Sequence, residues 1–354
     1  MDYSLYEQAD AFKPVGAGIL IAINAMQIFN KLGVKEEVES AGNIISNIKV
    51  TYPDLRVLSK TNLACFESKF GVKAVAIHRA MLQSILLKHL DKGSIHLGHR
   101  LASLKAHDGH VDLNFYGHHV INAPLVVGAD GLKSTVRTSL FPICKIRSAG
   151  QICWRGIADY QLPASHAHEL NEAWGMSKRF GFVQVGSGKV YWYAVMDAAN
   201  TQDDLSLEGL ADCYKGFHPL IRDIILASSS QNIFKDGLFD LVPLKKWSKG
   251  QAVLLGDAAH ASTPNMGQGA CQAIEDSMAL AECLAKFSQE RAFLEFEKLR
   301  KAKAEKVMKV SWSIGKLAHL RHPLAIKMRN ILMSMMPAFM NKIQMESIFK
   351  VNHS

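Results

Sequence analysis

Residues 251–277, QAVLLGDAAHASTPNMGQGACQAIEDS, constrain the fold more than any other stretch of the chain. The apolar run at 251–256 reads as a buried strand that delivers Asp257 to its C-terminal end. A loop with Pro264, Gly267 and Gly269 follows and feeds a helix over roughly 268–286. Strand, acidic turn, glycine loop and helix in that order require an α/β unit. Glycine admits close approach to the backbone, and free amides at a helix start accept negative charge. Asp257 is placed to accept hydrogen bonds from ligand hydroxyls. The same residues also allow an Asx-turn and a tight helix start without a ligand. Ala270, Ala273, Ile274, Ser277, Ala281 and Leu284 read as the inner side of the helix.

Two other segments repeat parts of this logic. Residues 120–128 form an apolar strand leading to Asp130 and Gly131 within VVGADGLKSTVR, 126–137. Asp130 either lies beside a ligand or organises the turn; Arg137 pairs with an anion or with Asp130. In IHRAML, 77–82, Arg79 opens a helix and offers its donor fork to a phosphate or ring, or simply to water.

The remaining pattern divides the chain. Residues 16–33 are expected to be helical after flexible glycines, and 74–90 give another helix beginning near His78. Strands are expected around 94–104, 111–116, 151–158, 180–185 and 190–196, the last three rich in aromatic residues. Phe180, Phe182, Tyr191, Trp192 and Tyr193 read individually as core. Residues 205–228 and the basic, methionine-rich region from 290 onward read as helical.

Composition narrows the classes. The 354 residues carry 41 Lys and Arg against 32 Asp and Glu, a net charge of +9. The basic residues are scattered, which argues against a nucleic-acid module. Six cysteines without a CxxC pair fit neither a zinc finger nor a disulfide scaffold, and a reducing cytoplasmic setting is expected. The first ten residues lack the apolar stretch of a signal peptide. No apolar run reaches the ~18 residues of a bilayer-spanning helix. His118-His119 and His166-x-His168-Glu169 are incomplete ligand sets, so no metal is expected.

Together, YEQADAFKPVGAGI at 6–19, HRAML at 78–82, GADGLKSTVR at 128–137 and the 256–277 motif resemble the class A flavin-dependent aromatic hydroxylases and monooxygenases. That family includes salicylate, hydroxybenzoate and urate hydroxylases and zeaxanthin epoxidase. The resemblance implies FAD as cofactor, NADH or NADPH as reductant, molecular oxygen and a small aromatic or electron-rich substrate to be hydroxylated. It implies adenosine-ribose binding by Glu7, FAD contact by Arg79, adenine packing by Leu101 and a dinucleotide-side role for Asp130. It also implies ribitol binding by Asp257 and a flavin-positioning turn of Pro264, Gly267, Gln268, Gly269 and Ala270. Pro264 and Gly267 are the residues nearest to a catalytic role, since no protein nucleophile is required. His260, beside this turn, is expected to make a structural hydrogen bond.

The implied fold is α/β, with a Rossmann-like FAD-binding domain, an inserted sheet-containing substrate domain and a helical C-terminal tail. Expected boundaries are 1–143 for the first FAD-binding part, interleaved with substrate-domain segments near 45–75. The substrate domain follows at 144–240, the second FAD-binding part at 241–290 and the helical region at 291–354. The family's GxGxxG turn precedes the strand ending at Glu7, and Gly16-Ala17-Gly18 falls after that acid. The FAD-binding domain is therefore expected to be N-terminally incomplete, by roughly 30 residues. A non-catalytic relic or interaction protein unable to hold FAD is the alternative this departure raises.

On the substrate side, Arg155, Arg179 and Gln184 are candidates to meet a carboxylate or hydroxyl. Residues 326–340, IKMRNILMSMMPAFM, place long apolar side chains beside Lys and Arg. They either cap the two domains or touch a lipid surface, as in a membrane-surface epoxidase. No transmembrane anchor is expected.

Overall fold

Long runs of alternating residues at 146–197 build the largest sheet. The computed structural model describes residues 2–12, 17–200, 205–336 and 338–351. Its seven-stranded sheet has the spatial order Phe234–Leu241, Ile146–Asp159, Lys189–Asp197, Lys178–Gly186, Glu169–Trp174, Asn47–Thr51 and Val57–Asn62. All pairings are antiparallel except that of Glu169–Trp174 with Asn47–Thr51. The two-residue period divides the side chains between faces. Trp154, Phe180, Phe182 and Trp192 pack against helices Leu207–Cys213 and Pro219–Leu226. Arg155, Arg179 and Tyr193 stand on the other face.

The region around the acidic turns is built from smaller sheets. Val126–Gly128 pairs in parallel with Ala252–Leu254, so both strands run toward the same edge. Leu5–Tyr6 pairs in parallel with Ile95–His96. Helices Gly269–Lys286 and Gln289–Ala318 cover the core that contains Val126, Val253, Leu254 and Phe296.

Residues 18–21 depart from the expected helix. Gly18–Ile21 is a strand paired antiparallel with Ala74–His78, and the helix begins only at Ile23. The tertiary pairing overrides the local pattern because Ile21 joins the core on this strand. A Cβ on Gly18 would lie 2.4 Å from Tyr191 Cβ, so this backbone touches the large sheet directly.

Gly16 and Pro337 lie outside the described residues, as does the Met340 side chain. No helix among the described residues is long and apolar enough to cross a membrane.

Candidate active site

The two acidic turns lie at the ends of adjacent parallel strands, yet they serve different purposes. Asp130 accepts hydrogen bonds from Ser134 Oγ and, at 3.0 Å, from Val136 N. Ser134 in turn caps helix Thr135–Leu140. Asp130 therefore organises its turn. Arg137 does not pair with Asp130: it is buried and donates to the carbonyls of Ala258 and Leu132. That contact holds the residue following Asp257.

Asp257 has no hydrogen-bond partner among the described residues. Enclosure by the surrounding protein raises its carboxyl pKa above the ordinary value, against attraction to His260 and Arg79. It retains access to solvent. Gly256, just before it, adopts φ 58°, and a Cβ there would lie 2.9 Å from Ala273 Cβ. Only glycine allows this turn to press so closely on the helix.

Helix Gly269–Lys286 starts without a side-chain cap and without an acid in its first turn. Its leading amides point toward the open side of the turn, where anions are stabilised. A Cβ on Gly269 would lie 3.8 Å from Asp257 Oδ1, so the carboxylate and the helix start are neighbours. Pro264 and Gly267 are exposed on the connecting loop, Gly267 with φ 61°. Ala270 is half-buried behind them. Gln268 is buried and accepts from Asn24 Nδ2 at 3.1 Å, so its side chain faces inward. An unpaired carboxylate beside a glycine-lined, uncapped helix start fits the polyhydroxylated chain and polar ring edge of a flavin.

The buried side of this helix differs from the expected small apolar set. It carries Cys271, Gln272, Glu275 and Asp276, whereas Ser277 and Ala281 are exposed. Arg300 supplies the compensation, with Nε 2.8 Å from Asp276 and NH1 2.5 Å from Glu275. Lys303 Nζ lies 2.7 Å from Glu275. Asp276 also accepts from Gly256 N at 3.0 Å and contacts His260 Nε2 at 2.5 Å. Burial opposes its charge, but attraction and hydrogen bonds from His260 and Arg300 hold its pKa down at about 2. His260 thus has the expected structural bond. The readable signal for this network was the acidic pair 275–276 together with Arg300 and Lys303 one turn apart on the next helix.

The large sheet turns a polar face toward the same loop. Buried Arg179 donates to Asn265 Oδ1 and, at 3.1 Å, to Glu172 Oε1. Glu172 also accepts from Tyr193 OH and from Trp174 Nε1, the latter at 2.7 Å. A Cβ on Gly181 would fall 2.0 Å from Tyr193 Cζ, so this glycine makes room for the ring. Burial and the Glu172 charge push the Tyr193 hydroxyl pKa well up. Glu172 lies outside the motifs read from the sequence, Tyr193 was read there as core, and Asn265 sits within the 256–277 motif without an assigned role. A cavity of about 40 Å³ lies where Gln151, Thr263, Asn265, Trp312 and Gly315 meet.

The other candidates lie apart from this cluster or point elsewhere. Arg155 shares the face of Arg179 and forms a 3.5 Å ion pair with Asp236. Strand alternation places Gln184 with Phe180 and Phe182, on the face opposite Arg179. Glu7 accepts from Ala9 N at 2.9 Å, and Leu101 packs into the apolar core that includes Tyr6. Among the described residues, His107, His110 and Asp112 are the one group close enough to share a cation. They already form His–carboxylate contacts of 3.0 and 3.7 Å.

The FAD binding domain family matches residues 5–311. The chain belongs to this family. The match overturns the expectation of an N-terminally incomplete domain: the family's FAD-binding domain runs over almost the whole chain.

This family member is 33% identical over 338 residues to the aurachin C monooxygenase/isomerase of Stigmatella aurantiaca, covering 94% of this chain and 88% of the relative. It is 30% identical over 343 residues to the 2-heptyl-3-hydroxy-4(1H)-quinolone synthase of Pseudomonas aeruginosa, covering 95% and 88%. The fold is similar to that of Klebsiella pneumoniae HpxO complexed with FAD and uric acid, with TM-score 0.89 and 20% identity over 98% of this chain and 90% of that one. The protein is an FAD-dependent oxidoreductase of the class A hydroxylase and monooxygenase type that acts with O2.

Proposed function

We propose that this protein hydroxylates a small nitrogen-containing aromatic ring, with NADH or NADPH as reductant, and that a 4(1H)-quinolone bearing an alkyl chain is its type of substrate. The observation that carries this reading is the unpaired Asp257 carboxylate beside Gly269 at the uncapped helix start, with the Arg179–Glu172–Tyr193 face joined to the same loop through Asn265. Names of two relatives, a 2-heptyl-3-hydroxy-4(1H)-quinolone synthase and a 6-hydroxynicotinate 3-monooxygenase, support the ring class.

Bound FAD supplies electron transfer to oxygen and delivery of an oxygen atom to the ring. Asp257 accepts hydrogen bonds from the ribitol hydroxyls. The amides of Gly269 and Ala270 hold negative charge at the polar end of the flavin ring. Pro264 and Gly267 fix the loop beside it, and Gln268 ties that loop to Asn24. Arg79 neutralises charge near Asp257, Glu7 and Leu101 serve the adenosine side, and Asp130 holds the turn that follows its strand. Arg179 Nε, buried without an acceptor among the described residues, and Tyr193 OH offer polar contacts to the substrate. Sheet and loop together exclude bulk water.

The test is a panel of 2-alkyl-4(1H)-quinolones, hydroxynicotinates and urate, following NAD(P)H oxidation and product mass. One quinolone gaining one oxygen, with matching cofactor consumption, is the expected result. Peroxide formation without an oxygenated product from any ring would refute the substrate assignment.

A further inference from the structure

Helix Pro323–Met335 faces the wrong way for a helix that only covers a core. Leu324, Met328, Ile331, Leu332 and Met335 follow the spacing of a single helical face. They are 66%, 63%, 47%, 66% and 72% exposed. The opposite face carries Arg329, which is buried, donates to Leu317 O at 3.1 Å and lies 5.1 Å from the centre of the Trp174 ring. Arg329 points inward and the apolar stripe outward. A stripe of this size held in water marks an interface.

The surrounding charge selects the partner. Residues 306–345 contain no Asp or Glu, while Lys306, Lys309, Lys316, Lys327 and Lys342 among them are exposed. Pairing two copies through this stripe would bring like charges together. An anionic lipid surface offers both an apolar phase and opposite charge.

We propose that helix Pro323–Met335 docks the protein on an anionic bilayer, lying in the headgroup layer with its apolar stripe down. Its 13 residues extend only about 20 Å, too short to span the ~30 Å hydrocarbon core. Such a helix lies flat, held by apolar burial and by basic residues that each strengthen binding ~5-fold. The inner face leads from Arg329 to Trp174, then through Glu172 and Arg179 to Asn265. The docking surface therefore lies on the outer side of the candidate substrate face. Delivery of an alkyl-bearing substrate from the bilayer rests on the proposed function; docking itself does not.

The experiment is flotation of the full chain with phosphatidylcholine vesicles, with and without phosphatidylglycerol, at low and high salt. The protein is expected to float with the anionic vesicles at low salt and to be released by high salt. The double variant Met328→Glu/Leu332→Glu is expected to bind ~100-fold more weakly, with unchanged melting temperature and FAD affinity. Met328→Leu/Leu332→Met is expected to bind like the parent. Absence of flotation with anionic vesicles overturns the proposal, as does a double variant that floats normally. A solution dimer dissociated by that variant would assign the stripe to a second copy instead. None of these readouts depends on turnover, so failure of the substrate assignment would leave them interpretable.

Discussion

Asp276 Oδ2 accepts the backbone N–H of Gly256 at 3.0 Å, tying the helix that carries the one to the turn that carries the other. Gly256 immediately precedes Asp257, so the conformation of the candidate cofactor ligand depends on a buried carboxylate that never faces the cleft. The same carboxylate binds His260 and Arg300, and its neighbour Glu275 binds Arg300 and Lys303. One compensated cluster thus fixes turn, helix start and the following long helix.

Replacing Arg300 by methionine should expose the cost of that compensation. Two buried carboxylates would lose their shared cation, and a loss of about 3–5 kcal/mol is expected from chemical denaturation. FAD affinity should fall as well, because the Gly256 turn loses its fixed position. Retention of wild-type stability would show that Lys303 and His260 suffice.

Stability should fall in two steps on acidification. His319 is buried, and desolvation together with the charge of Arg179 lowers its pKa from 6.5 to about 4. The folded state therefore keeps it neutral, and its contribution is lost as pH falls from 6.5 toward 4. Asp276 is held at about 2 against an ordinary 3.8, so its contribution, on the order of 2 kcal/mol, is lost between those values. Urea midpoints across this range measure both, and His319→Gln should remove only the upper step.

Asp257→Ala should separate binding from stability. The carboxylate has no hydrogen-bond partner among the described residues, so the melting temperature of the FAD-free protein should be nearly unchanged. FAD affinity should drop by about 1.5–3 kcal/mol, the usual worth of hydrogen bonds to a charged group. Fluorescence titration gives the value. Unaltered affinity would remove Asp257 from the cofactor site.

Gly181→Ala should act on the substrate side. Its Cβ would meet the Tyr193 ring at 2.0 Å, and the ring must shift away from Glu172. Overpacking of this kind costs about 1–3 kcal/mol. The expected kinetic signature is a raised KM for the organic substrate with unchanged FAD affinity. A KM equal to the parent's would mean that Tyr193 does not shape the pocket.

Much of the arrangement was readable from local pattern. The strand at 252–254, the turn at Gly256–Asp257 and the helix from Gly269 follow from an apolar run, glycine chemistry and helical spacing. Three long strands of the seven-stranded sheet were visible in their aromatic, alternating residues. Arg179 was read from the sequence as a candidate to meet a substrate carboxylate or hydroxyl; its contacts with Glu172 and Asn265 were not legible, because these partners converge from separate strands and loops.

The sequence by itself determined the order of the acidic turns, the glycine-lined loop and the resemblance to flavin-dependent hydroxylases, because each is carried by a few consecutive residues. Only the tertiary structure decided that residues 18–21 pair as a strand, that Gln184 turns away from Arg179, and that Asp130 serves its own turn. It also decided that Glu275 and Asp276 are buried rather than solvated. The physical reason is the same throughout: burial of a charge or choice of a face depends on a partner distant along the chain, and a local pattern contains no information about where that partner will be.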